Sequence, residues 1–73
     1  MFDPMELGRE LKHARIKRGV TQRELARRVQ LSTIFIAKIE AGERMPSWET
    51  LERMSQALKV IVRVALIPDR QKR

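Results

Sequence analysis

A chain of 73 residues holds one small domain at most, because it buries too little surface to support two hydrophobic cores. It contains no cysteine, which excludes disulfides and most small metal sites, so regular helix packing or a partner subunit must supply stability. Sixteen Lys and Arg against nine Asp and Glu leave a formal charge of +7, which favours a polyanionic partner, nucleic acid first, over a merely soluble surface.

No segment of the sequence predicts a signal peptide or a membrane span. The amino-terminal MFDPMELG has no long apolar run, and the longest apolar stretch, residues 60–67, is interrupted by Arg63. A membrane-spanning helix needs roughly twenty apolar residues. We therefore expect a cytoplasmic protein with no membrane partner.

Capping side chains and helical spacing of apolar residues predict four helices. The first begins near Pro4 and is broken at Gly19, the second covers residues 22 to about 29, the third ends at Gly42, and the fourth runs to about residue 58. Each follows a side chain that can accept a hydrogen bond from the free amides of the first turn: Asp3, Thr21, Ser32 and Ser47. Glu6 and Glu24 are expected to complete capping boxes, and Phe2 is expected to pack on the first helix as a staple.

The spacing of apolar residues changes from helical to alternating after the fourth helix. Alternation of apolar residues and a high β-branched content predict a strand in residues 59–68. A second strand-like segment is missing from the sequence, so the strand is expected to pair with a second copy and form a homodimer. The predicted dimerisation residues are Val60, Val62, Val64 and Leu66. The chain thus divides into a helical domain (1–58), a dimerisation strand (59–68) and a basic tail (69–73).

The second and third predicted helices are short and are separated only by Gln30 and Leu31. Such a pair lets one helix enter the major groove of DNA while the other crosses the backbone. The surrounding residues follow a longer pattern, TQxxLA over 21–26 and SxxxIxxIExGxRxP over 32–46. This pattern resembles the signature of the XRE, or Cro/CI-type, helix-turn-helix family. The resemblance implies an all-α, four-helix, lambda-repressor-like DNA-binding domain.

The resemblance also implies roles for individual residues. The start of the third helix would face base edges, and its lysine would favour guanine. The implied base-contacting residues are Thr33, Ile34 and Lys38. Side chains around the second helix and after the third would hold phosphates and set affinity without reading sequence. The implied phosphate-contacting residues are Thr21, Gln22, Arg23 and Arg44.

Arg15 and Glu40 match family positions that form a partly buried ion pair, which implies a structural role for both. The sequence departs from the family at Gln30, where glycine is usual, and at Ala37, where a small polar residue is common. Gln30 would then adopt a left-handed conformation at a cost of about 1 kcal/mol.

Some positions allow a second interpretation. Ile34 could instead belong to the core, with Lys38 a solvated charge. Phe35 could contact a second subunit, the sugar-phosphate backbone or the core, with core packing favoured. Trp48 is expected to pack against the core.

We predict a sequence-specific transcriptional regulator that binds an inverted-repeat operator in double-stranded DNA as a homodimer. A short chain that ends in a strand resembles antitoxins of the HipB and HigA types. This resemblance implies two further activities, repression of its own operon and neutralisation of a toxin protein. A stand-alone phage or restriction-controller regulator without a toxin is the alternative. RNA binding is disfavoured because the sequence shows no aromatic stacking platform.

Catalysis, a metal site and a cofactor are not predicted. The sequence holds no Gly-rich phosphate loop and no Ser, His and acid set that the helices would bring together. His13 is the single histidine, and cysteine is absent, so a cluster of metal ligands is missing as well.

Overall fold

The computed structural model describes residues 3–61, in which the chain forms four α-helices. They are α1 (Pro4–Lys17), α2 (Gln22–Val29), α3 (Thr33–Glu40) and α4 (Trp48–Leu58). Within these residues the predicted all-α, four-helix fold is confirmed, and no helix there is long and apolar enough to cross a membrane. Several predictions lie outside the described residues: the Phe2 staple, the dimerisation residues Val62, Val64 and Leu66, and the tail 69–73.

Each helix begins at its predicted cap. Side-chain oxygens accept hydrogen bonds from first-turn amides at Asp3, Thr21, Ser32 and Ser47. These bonds satisfy amides that have no partner within the helix. The predicted capping box at Glu24 is wrong. Its carboxylate accepts from Arg27 and Arg28 instead, because residues three and four positions apart lie on the same helix face.

Every helix of the described residues ends through a left-handed backbone turn. The residues with positive φ, between 55° and 82°, are Gly19, Gln30, Gly42 and Lys59. The residue after each of them donates its amide to the carbonyl five positions back, which satisfies a carbonyl of the last turn. The left-handed conformation predicted for Gln30 is confirmed, with φ at 61°. The equivalent turn at Lys59 was not predicted.

The core takes one face from each helix. Its largest fully buried side chains are Leu25, Val29, Ile36, Ile39, Met54 and Leu58. α3 packs against both α1 and α2, and α2 also packs against α4. Because α2 and α3 have only eight residues each, neither would be stable alone, and the core holds them in place.

Gly8 brings α1 directly against the end of α3. A Cβ atom at this position would lie 2.5 Å from the carbonyl oxygen of Ile39 and 2.6 Å from that of Glu40. Only a hydrogen atom fits there, so glycine sets the distance between the two helices. No local pattern in the sequence indicates this role for Gly8.

The structure differs from the prediction at the start of the strand. Val60 donates its amide to the carbonyl of Ser55 at 3.0 Å, and its side chain packs against the core. Arg18 closes the same end by donating to the carbonyls of Leu58 and Lys59 at 3.0 and 3.2 Å. Val60 therefore belongs to the cap of α4, and its amide is not free to pair with a second copy.

The prediction that Trp48 packs against the core is wrong. Its side chain is 54% exposed, whereas Thr50 and Leu51 are buried. The buried stripe of α4 continues through Met54 and Leu58. At 100° per residue, Trp48 lies about 60° beyond the edge of that stripe. A bond of 3.0 Å between the hydroxyls of Ser47 and Thr50 holds Thr50 inward.

Candidate nucleic-acid interface

α3 has a buried face and an exposed face. Ile36 and Ile39 are fully buried, whereas Thr33, Ile34 and Lys38 are exposed. The three exposed residues lie within an arc of about 140° on one side of the helix. Since 70% of Ile34 is exposed, the alternative that made it a core residue is wrong. The structure thus brings the three predicted base-contacting residues together.

The beginnings of α2 and α3 form an open depression of about 430 Å³. Thr21, which caps α2, and Arg23 line it at the start of α2, and Thr33 lines it from α3. Two residues predicted to bind phosphate therefore lie beside one predicted to face base edges. This arrangement suits a DNA strand, in which phosphates and base edges follow one another closely.

Glu24 is also in the wall of this depression, and two arginines compensate its charge. Arg27 donates to its carboxylate at 2.7 Å and Arg28 at 2.9 Å. The hydrogen bond from Arg27, followed by that from Arg28, holds the pKa of Glu24 below its ordinary value of 4.5. Stabilisation from these bonds is present at neutral pH and is lost as the pH falls through the lowered pKa. Two guanidinium groups on one carboxylate leave a positive surplus, to which Arg23 adds.

Arg15 and Glu40 form a buried ion pair that joins α1 to α3. Arg15 Nε donates to Glu40 Oε2 at 2.6 Å, and Nη2 donates to Oε1 at 3.1 Å. Arg15 Nη1 also donates to the carbonyl of Val20 at 2.8 Å, which ties in the turn before α2. The pair therefore connects α1, the turn before α2 and the last residue of α3.

Gln22 connects this buried pair to the surface. Its Nε2 donates to Glu40 Oε1 at 3.0 Å, and the residue is half-buried. A carboxamide nitrogen carries two hydrogens, so one remains for a phosphate oxygen. Sequence reasoning missed this contact, because it joins the start of one helix to the end of another.

Phe35 supports Arg44 at the carboxyl end of α3. The ring is half-buried against the core, as expected, and the guanidinium carbon of Arg44 lies 5.1 Å from the ring centroid. This distance lies in the cation–π range. Arg44 stays exposed, so its charge faces solvent from a fixed position beside α3. The role of Phe35 was left open by the sequence.

Comparisons with known proteins agree with this geometry. Residues 6–65 match the profile of a family described as helix-turn-helix domain. No curated protein sequence matches the chain.

Solved structures of three regulators are similar to this chain. The clp gene regulator ClgR from Corynebacterium glutamicum is 32% identical, with a TM-score of 0.80 and coverage of 85% of this chain and 80% of that one. In another ClgR structure the match spans only 64% of that chain. The restriction-modification controller C.AhdI from Aeromonas hydrophila is 25% identical, with a TM-score of 0.77 and coverage of 81% and 86%. The controller C.Esp1396I is 28% identical, with a TM-score of 0.75 and coverage of 84% and 78%.

Proposed function

We propose that this chain, which belongs to the helix-turn-helix domain family, is a DNA-binding transcriptional regulator that recognises one operator sequence through α3. The observation that carries the proposal is the outward side of α3. Other residues of the same helix fill the core. The side that faces away from the core exposes Thr33, Ile34 and Lys38. A helix with a reading surface of this kind fits the major groove.

Phosphate contacts and base contacts would have different roles in binding. Phosphate contacts from Gln22, Arg23 and Arg44 would set the register and supply most of the affinity, because each neutralised phosphate releases counterions. Base contacts from α3 would supply the specificity. Lys38 would favour guanine, whose O6 and N7 both accept hydrogen bonds.

We further propose that the regulator acts as a symmetric homodimer, because one α3 reads only a half-site. The sequence pattern of residues 61–67 supports pairing between two copies. Val60 is left out because its amide already donates to the carbonyl of Ser55. Replacing Val62 and Val64 together with lysine should convert the dimer to a monomer, since charge on an apolar strand face opposes pairing. Light scattering measures the mass, and a dimer that persists would remove the strand from the proposal.

Footprinting on the DNA upstream of its own gene tests the operator. A symmetric dimer should protect an inverted repeat whose half-sites are centred about one helical turn, or roughly 34 Å, apart. Equal affinity for the protected sequence and for unrelated DNA of the same length would contradict sequence-specific regulation.

Lys38 and Arg44 provide a matched pair of tests. Lys38→Ala should cost about 1–3 kcal/mol at the base pair that it contacts and should relax preference there. Arg44→Ala should weaken binding to all sequences alike and reduce the salt slope by about one. Titrations of operator variants at several salt concentrations separate the two results. A uniform loss for Lys38→Ala would make it a phosphate contact.

The antitoxin role is not part of this proposal. The solved structures named above are described as a clp gene regulator and as restriction-modification controllers, which favours the stand-alone alternative. Co-purification of the chain with the product of a neighbouring reading frame, together with toxicity of that product alone, would restore the toxin partner.

A further inference from the structure

Ile34 is a large apolar side chain left in solvent on the side of α3 that would face DNA. It is 70% exposed, more than any other large hydrophobic side chain of the four helices in the described part of the chain. Burial of an isoleucine side chain is favourable, and this position forgoes that free energy in the free protein. An apolar contact made only in the complex would recover part of that free energy.

The rest of the outward side offers few groups that can read a base by hydrogen bonds. The sequence of α3, TIFIAKIE, contains no Asn, Gln or Arg, so Lys38 is its one side chain of a type that makes two-point contacts with a purine. Only the Thr33 hydroxyl and the Lys38 ammonium are exposed donors there. Ile34 itself carries no hydrogen-bonding group on its side chain, so it can discriminate between bases only by apolar contact.

The major groove contains one apolar group at a base edge, the C5-methyl of thymine. 5-Methylcytosine carries the same methyl group at the same ring position. We infer that Ile34 recognises a C5-methylated pyrimidine, so that thymine or 5-methylcytosine at one position in each half-site binds more tightly than uracil or cytosine. This inference rests on the proposed operator binding and names the chemical group that it reads.

Operators that differ by a single methyl group on one base test the inference. Each thymine of the footprinted operator is replaced in turn by deoxyuridine, which removes only the methyl group. We expect about a fourfold loss of affinity at one position in each half-site, the amount that corresponds to one buried methyl. A C·G pair placed at that position should gain about the same factor when its cytosine carries the C5-methyl.

The protein variants assign that effect to Ile34. Ile34→Ala should bring both methyl ratios close to one, whereas Ile34→Val should retain most of the ratio. Ile16→Ala is the matched control, because Ile16 is also exposed, at 58%, but lies on α1. It should leave both ratios unchanged.

Two results would overturn the inference while leaving operator binding intact. One is an operator in which every thymine-to-uracil change is neutral. The other is a methyl ratio that Ile34→Ala does not alter, including the case in which that variant instead changes the oligomeric state. Failure to find any preferred operator would contradict the proposed function itself, so the two failures are distinguishable.

Discussion

Replacing Glu40 with alanine is expected to lower the free energy of unfolding by about 3–5 kcal/mol, because it leaves the Arg15 charge buried without its partner. Only 10% of the Arg15 side chain and 3% of that of Glu40 are exposed, so water cannot replace the lost contact. Arg15 would keep only the carbonyl of Val20. Urea denaturation followed by circular dichroism measures the change.

Two controls accompany this variant. Glu43→Ala removes an exposed carboxylate three residues further along the chain and should change stability by no more than about 0.5 kcal/mol. The double variant Arg15→Met with Glu40→Met should be more stable than the sum of the single losses predicts, because no charge remains unpaired. A loss below about 1 kcal/mol for Glu40→Ala would contradict a structural role for the pair.

Gly8→Ala is expected to cost about 3 kcal/mol although alanine is the better helix former by about 1 kcal/mol. The added Cβ would meet the carbonyl oxygens of Ile39 and Glu40 at 2.5 and 2.6 Å. These are backbone atoms, so α3 as a whole would have to move away from α1. That movement would also stretch the bond between Arg15 and Glu40. Urea denaturation measures the loss.

Gly19→Ala is the matched control for Gly8. Its added Cβ would meet no atom within 4 Å, so only the left-handed backbone, with φ at 70°, opposes it. That conformation costs alanine about 1 kcal/mol. If Gly8→Ala lost no more stability than Gly19→Ala, the close approach of α1 and α3 would not limit the fold.

The candidate site was predicted only in part, for a physical reason. The family resemblance implied base contacts by Thr33, Ile34 and Lys38, and the structure shows that all three face outward. The resemblance did not decide whether Ile34 was buried, because that depends on which side chains of other helices already fill the core. The bond from Gln22 to Glu40 and the stacking of Arg44 on Phe35 join residues of different elements, so no local pattern indicates them.

By itself, the sequence determined where each helix starts and where the first three stop. Caps such as Asp3 and Ser32 act on amides two or three residues away, and Gly19 and Gly42 take their left-handed conformations within their own turns. These are interactions between neighbours in the chain, so a pattern of residue types is enough to predict them.

Tertiary structure alone decided what depends on distances between helices. It placed Gly8 against the last turn of α3 and packed the side chain of Val60 against the core. It also joined Gln22 to Glu40, so that a residue predicted to touch DNA contacts the buried ion pair. Such contacts are set by the packing of whole helices, and the residue types along one helix do not specify them.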